Sequence, residues 1–305
     1  MTENRIVSAA AAPEPIRVPL SGGKKAVITP CGTIVGGQDG VLFEKDTVLR
    51  FDTKGNGTVC RLDGTVLACF PLDQLDRYCP HSNAVTLGTE KVDPADPMPL
   101  LYTNLYNNYA KEEDRREGVC CVYRIRNGSG GYASSLVQIL RIGFTDDSFL
   151  WCSEDHADVR PYGNFVVDAK EQALYVFVMR DKAQTTRFFR FDLPAVTDGI
   201  PDEAGVRVLT LSPGDMRARF DVPYFQFIQG ACVRNGVILS SEGFSEDQIR
   251  RPMLRRIDAH TEKVTDAIDL IPLGLTKEPE MVDFDGEALL YSDSKGNLYR
   301  ITIEF

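Results

Sequence analysis

Five short strands of this chain carry an arginine between apolar or small residues: "VCRLD" (59–63), "VYRIR" (122–126), "FFRFD" (188–192), "LRRID" (254–258) and "LYRIT" (298–302). The arginines are Arg61, Arg124, Arg190, Arg256 and Arg300, spaced by 63, 66, 66 and 44 residues. Such regular spacing marks a structural repeat. It restricts the chain to folds in which one supersecondary unit stacks on the next.

Each copy has the same surroundings. An apolar segment opened by polar residues lies upstream, as in "QDGVLFE" (38–44), "SNAVTLG" (82–88), "GNFVVDA" (163–169), "QGACVRN" (229–235) and "PEMVDFD" (279–285). A second apolar segment follows, such as "ALYVFVM" (173–179) or "ALLYSDS" (288–294), and the arginine segment is third. A fourth is predicted at "DGTVLACFPL" (63–72), "ASSLVQIL" (133–140), "VRVLTL" (206–211) and "TEKVTDAIDL" (261–270). Asn-Gly and Asp-Gly pairs punctuate the hairpins, as tight β-turns require. No long stretch has helical periodicity.

Four antiparallel strands repeated five times predict an all-β fold, a five-bladed β-propeller, with six blades as the alternative count. The last copy, "EPEMVDFDGEALLYSDSKGNLYRITIEF" (278–305), supplies only three strands. An N-terminal strand is expected to close the ring, and "PIRVPL" (15–20) is the expected donor. Residues 1–14 then form a tail and 15–305 a single domain. The repeated arginine reads as structural, a half-exposed strand position with a packed aliphatic stem.

The net charge of −10 offers no basic footprint for nucleic acid or an anionic membrane surface. No apolar run is long enough to span a bilayer, and the N-terminus has no secretory pattern. The eight cysteines form no CxxC pair and no metal-type spacing with the three histidines. Reduced thiols and a cytoplasmic location are the expectation.

In a propeller, the connections from strand two to three and from strand four to the next blade share one face. Here that group is long: 104–118, 143–163, 212–228 and 242–253. Long loops on a rigid scaffold commonly carry binding residues. The inner strands start on the same face, so their first residues should ring the mouth of the axial channel. These are Gln38 and Asp39, His81 and Asn83, Asn164, Gln229 and Glu280. Such a ring suits a small polar ligand, sugar-like or peptide-like, or a divalent cation. Glu280 and His81 are the candidate proton-transfer pair, and the amides are orienting groups. His156, Arg160 and Tyr162, on a long loop of that face, are further candidate ligand-binding residues. The competing expectation is a structural polar plug, with the exposed aromatic loops "NLYNNY" and "VPYFQF" docking a protein partner. No GxSxG, HExxH, P-loop or dinucleotide motif occurs.

"QGACVRNGVILSSEGF…MLRRIDAHTEKVTDAIDL" resembles a blade of the glutamine cyclotransferase type of five-bladed propeller, over roughly 40 of the 305 residues. That family's pattern has Gly where Glu262 stands. The resemblance implies the propeller fold, and its acidic catalytic position has only Glu280 as a positional counterpart. The chain as a whole also looks similar to uncharacterised bacterial propellers, which imply no reaction.

Overall fold

Two strands precede the first repeat and decide how the ring closes. In the computed structural model, residues 14–105, 116–147, 149–151, 159–180, 183–223, 227–245 and 249–303 are described. Within them, β1 (Ile16–Pro19) and β2 (Lys25–Thr33) form an antiparallel hairpin. Blade 1 follows, with β3 (Gly40–Glu44), β4 (Thr47–Phe51), β5 (Asn56–Arg61) and β6 (Val66–Pro71). Blade 2 is built on β7 (Val85–Leu87), β8 (Leu101–Asn104), β9 (Val119–Gly128) and β10 (Gly131–Ile142). Blade 3 begins with β11 (Val159–Asp168), β12 (Ala173–Arg180) and β13 (Thr185–Asp192). Two strands then leave for blade 2, β14 (Ile200–Pro201) and β15 (Arg207–Leu211), before β16 (Met216–Pro223) completes blade 3. Blade 4 is β17 (Ile228–Arg234), β18 (Val237–Glu242), β19 (Met253–Asp258) and β20 (Lys263–Asp269). Blade 5 is β21 (Pro279–Asp285), β22 (Ala288–Asp293) and β23 (Asn297–Ile303), joined by β2 and then β1. The inner strands β3, β7, β11, β17 and β21 touch in turn, and β21 returns to β3. The protein is a five-bladed β-propeller. Helix among the described residues is confined to single 3-10 turns.

Two expected strand assignments change. The fourth strand of blade 5 is β2, residues 25–33, which pairs with β23 from Ala26↔Ile303 to Thr33↔Asn297. The expected donor, 15–20, instead forms β1, a fifth strand outside β2. The reason is hydrophobic: β2 brings Ala26 and Ile28, both fully buried, into the packing of blades 4 and 5. β1 is short and mostly exposed, and its Pro19 suits an edge position.

Likewise, 206–211 is not the fourth strand of blade 3. As β15 it runs parallel to β10 on the outer edge of blade 2, from Gln138↔Arg207 to Ile142↔Leu211. The Gln138 side chain pins this excursion by donating to the carbonyls of Ala195 at 2.9 Å and Asp198 at 3.1 Å. A 3-10 turn capped by Ser212 and Asp215 then returns the chain. Its next strand, β16, lies within the segment 212–228 expected as a long loop. Phe220 of β16 stacks on Phe188 at 5.1 Å.

The repeated arginine is half-buried in four blades, as expected, and exposed at Arg61 in blade 1. In each blade the ladder between the arginine strand and its outer neighbour is bulged: at Val59/Cys60, Leu136/Gln138, Arg190/Phe191, Arg256/Ile257 and Pro30/Gly32. A bulge adds local twist, which each blade needs to fan outward. In three blades the arginine beside it reaches an acid of the first hairpin connection. Arg124 clasps Asp96 with paired contacts near 2.9 Å, Arg190 lies 3.7 Å from Glu171, and Arg300 meets Asp285.

Apolar side chains fill the five blade interfaces as five separate clusters. The interface between blades 5 and 1 is the thinnest. Among the described residues it buries six side chains (Ile34, Val48, Cys60, Met281, Leu290 and Leu298), whereas each of the others buries at least thirteen.

The strand order sets the outcome of two truncations. Deleting residues 1–20 removes only β1, whose four cross-strand pairs are worth roughly 0.2–1 kcal/mol each, so a loss of about 1–3 kcal/mol is expected in urea unfolding. Deleting residues 1–33 removes β2, bares the backbone of β23 and uncovers the blade 4–5 packing. Gel filtration should then show aggregate and no folded monomer. Equal stability of the two truncations would refute the assignment of β2 as the closing strand.

Candidate functional site

Inner-strand geometry brings the predicted residues to the axis by a simple route. Pairing of blade 1 extends one turn past the start of β3, where Gln38 N–H donates to the Phe51 carbonyl at 2.8 Å. Gln38 is half-buried and Asp39 is fully buried. Asp39 N–H donates to the Ser82 carbonyl at 3.1 Å, and its Oδ2 accepts from Val85 N–H at 3.0 Å. This carboxylate therefore ties blade 1 to blade 2. Its Oδ1 makes no close hydrogen bond among the described residues, although the Gly40 and Ala231 N–H groups face the carboxyl.

The same accounting at the other blades gives a consistent result. Asn83 is buried and its Oδ1 is unpartnered. Asn104, at the end of β8, accepts from Ala84 N–H at 3.1 Å and donates to Asn164 Oδ1 at 2.6 Å. That leaves Asn164 Nδ2 without a protein partner. Gln229 Nε2 donates to Glu278 Oε1 at 2.7 Å. Beside it, a side chain at Gly230 would lie 2.3 Å from the Glu280 carbonyl, so only glycine lets blades 4 and 5 approach here. Glu280 is 4% exposed and its Oε2 is unpartnered.

The cation of this cluster is Arg50, on β4, a residue the sequence reading did not select. It is 2% exposed. Its guanidinium reaches blade 5, donating to Ser292 Oγ and to the Asp293 carbonyl at 2.9 Å, and it also bonds the Gly37 carbonyl at 2.8 Å. Its Nε has no protein partner. Arg50 faces the charges of Glu280, Asp39 and Asp293. Only its own sequence context could have revealed it: a lone cation in "TVLRF", a strand buried at every position. Burial pushes the carboxyls of both Asp39 and Glu280 well above their ordinary range, and Glu278 pushes Glu280 further the same way. Two donors and three carbonyl or carboxyl oxygens of these residues, in blades 1, 3 and 5 and the segment leading into blade 2, are therefore buried without a hydrogen-bond partner among the described residues.

His81 lies half-buried in that segment, and burial lowers its pKa to about 4. Its imidazole is neutral at neutral pH, so the charge facing Glu280 is that of Arg50. His156 falls outside the described residues, and of Arg160 and Tyr162 only the backbone, within β11, is described. His260 sits in the β19–β20 turn, 2.8 Å from Glu171 of blade 3 and largely exposed. No group of three or more His, Cys, Asp and Glu side chains among the described residues could hold a metal ion. The seven described cysteines are free thiols.

At the other mouth, a cavity of about 280 Å³ is lined by inner strands of all five blades. Its carboxyls serve the ring. Asp283 accepts from Leu42 N–H at 2.8 Å, and Asp168 accepts from Gly236 N–H at 2.7 Å. No helix among the described residues is long and apolar enough to cross a membrane.

Replacing Arg50 by Met should cost about 3–5 kcal/mol, the usual loss when one partner of a buried charge cluster is removed. Asp39 and Glu280 already have native pKa values above their unfolded ones, so the native state binds their protons more tightly than the unfolded state does. Their charge is the destabilising form, and it is lost as pH falls through the native pKa values. The deficit of Arg50→Met should therefore shrink on acidification. A urea-unfolding series against pH reads it, and a deficit independent of pH would count against this electrostatic account.

No protein-family model matches the chain, and no curated protein matches it in sequence. The local likeness to the glutamine cyclotransferase propeller thus gains no support. Solved structures do match. BamB from Moraxella catarrhalis is 10% identical with a TM-score of 0.35, over 95% of this chain and 70% of that one. Virginiamycin B lyase from Staphylococcus aureus is 11% identical with a TM-score of 0.40, over 92% of this chain and 99% of that one. A glucose dehydrogenase is 13% identical with a TM-score of 0.48, over 90% of this chain and 98% of that one.

Proposed function

We propose that the protein binds a small, neutral, polar molecule, a sugar or short peptide, at the axial mouth on the long-loop face. The observation that carries this reading is the set of buried, unpartnered polar atoms: Asp39 Oδ1, Arg50 Nε, Asn83 Oδ1, Asn164 Nδ2 and Glu280 Oε2. A buried polar atom without a partner costs about 1–3 kcal/mol, and five such atoms are a large sum to leave unanswered. Hydroxyls and amides both donate and accept, so they match a mixed set of donors and acceptors better than an ion would. The Arg50 charge faces the Glu280 carboxyl, and Glu280 is the group with a proton to exchange with the ligand. The free thiols fit a reducing compartment, and we place the protein in the cytoplasm on that basis.

A second reading, a protein-docking face, is favoured by Phe149 and Ile249, which are 76% and 87% exposed in the long connections of blades 2 and 4. Isolated exposed side chains are common, so this reading ranks below the first.

The test is a thermal-shift and calorimetry screen of monosaccharides, disaccharides, dipeptides and divalent cations on the wild type and Glu280→Gln. A ligand of the first three classes should raise the wild-type Tm. Its affinity should fall by on the order of 1–3 kcal/mol in Glu280→Gln, the scale of a charge-assisted hydrogen bond. If both proteins respond identically across the panel, the axial cluster is a structural plug. Glu280→Gln should then be at least as stable as the wild type, because it relieves a buried carboxyl.

A further inference from the structure

Every blade of a propeller ends in an outer strand whose far edge is open, and proteins blunt such edges with charge, proline or brevity. Four of the five outermost edges follow the rule. β16 carries Arg217, Arg219 and Asp221; β20 carries Lys263, Asp266 and Asp269; β1 carries Arg17 and ends in Pro19; β14 is two residues long and ends in Pro201. The outer edge of blade 1 follows it least, with six residues and only the terminal Pro71 to blunt them. From Gly64 to Leu72 the chain reads "GTVLACFPL", without a charge. Val66 and Leu67 are 49% and 47% exposed, and Cys69 is exposed as well.

The edge is also held rigidly. At one end Gly64 packs so closely on the Thr33 carbonyl of blade 5 that a side chain there would lie 2.3 Å from it. At the other end Ser134 Oγ of blade 2 donates to the Pro71 carbonyl at 3.2 Å and accepts from Asp73 N–H at 2.7 Å. Beyond it, Arg77 meets Asp202 of the blade 2 extension at 2.7 Å. The two neighbouring blades each carry an added outer strand, β1 on blade 5 and β15 on blade 2. Blade 1 ends at four strands between them, so its edge lies between two longer walls.

We propose that the outer edge of β6 docks an extended, uncharged, apolar strand of another polypeptide, which adds to blade 1 as a fifth strand. The fold itself shows that the position works. β1 adds antiparallel to β2, and β15 adds parallel to β10, both at the outer edge of a blade. Main-chain hydrogen bonds supply the affinity, and Val66, Leu67 and Cys69 select apolar side chains on the incoming strand. A peptide fits this recess better than a second propeller does, because the walls of blades 5 and 2 flank it. An incoming strand without charge also avoids desolvating ions against an uncharged edge.

The test is selection of phage-displayed random heptapeptides on the full-length protein, with Leu67→Lys as the counter-target. This exposed position should accept lysine without loss of the thermal melt, and Val66→Lys is the second variant. Selected peptides should be rich in β-branched residues, should bind at least tenfold more weakly to both variants, and should slow amide exchange in residues 66–70. Three outcomes overturn the proposal: no peptide is enriched, the enriched peptides bind both variants as well as wild type, or light scattering shows a dimer that Leu67→Lys dissolves. The last would assign the edge to a second copy of this chain.

Discussion

The seam between blades 5 and 1 is the contact on which the ring depends, because it is the one the chain must make between its two ends. It buries the fewest apolar side chains of the five interfaces, so the hydrophobic effect holds it least. Polar bonds stitch it instead. Arg50 reaches across to Ser292 and the Asp293 carbonyl, and Asp283 reaches back to Leu42 N–H. The β2 strand, which precedes blade 1 directly, is built into blade 5. Covalent continuity thus does at the seam what packing does elsewhere.

The rest of the ring repeats the same device in milder form. Asp39 bonds Val85 N–H, Thr86 bonds Val167 N–H, Asp168 bonds Gly236 N–H, and Arg234 donates to the Gly286 carbonyl. Each inner strand thereby lends a side chain to the next blade. Three of these four bonds use short polar side chains, which suit an axis where five strands converge and little space is left. That constraint explains why the channel walls are rich in Asp, Asn and Thr, and it weakens the inference from polar residues at an axis to a ligand. The distinction lies in the atoms left over: Asp168 spends both oxygens on backbone N–H groups, whereas Asp39 and Glu280 each keep one oxygen unpartnered.

The sequence made the ring legible because the arginine repeat reports a local need common to every blade, a bulged ladder beside a first hairpin. It misled where an element serves a blade other than its own. The segment "VRVLTL" has the apolar alternation of a fourth strand and is a strand, but it belongs to blade 2. Pattern fixes which face of a strand is buried and not which neighbour buries it. "PIRVPL" failed for the same reason. It resembles an outer strand and is one, while the longer "KAVITPCGT" takes the inner place that its buried Ala26 and Ile28 demand. Asp39, Asn83, Gln229 and Glu280 stand at or just before strand starts, as their sequence positions suggested, whereas Asn164 lies inside β11, which begins earlier than expected. Arg50 was not legible, since it comes from a second strand and reaches the axis through the length of its side chain.

That origin puts the groups of the proposed site at the weakest joint of the ring. Arg50 and Asp39 belong to blade 1 and Glu280 to blade 5, so the groups most able to meet a ligand are also those nearest the seam. The raised pKa values of Asp39 and Glu280 reflect a cation that only partly offsets the burial of two carboxyls. A site under that electrostatic strain is one where an added polar partner returns the most free energy. A ligand there would bridge the two blades whose apolar contact is smallest and so tighten the ring at its weakest joint. Binding and closure are then two readings of the same cluster.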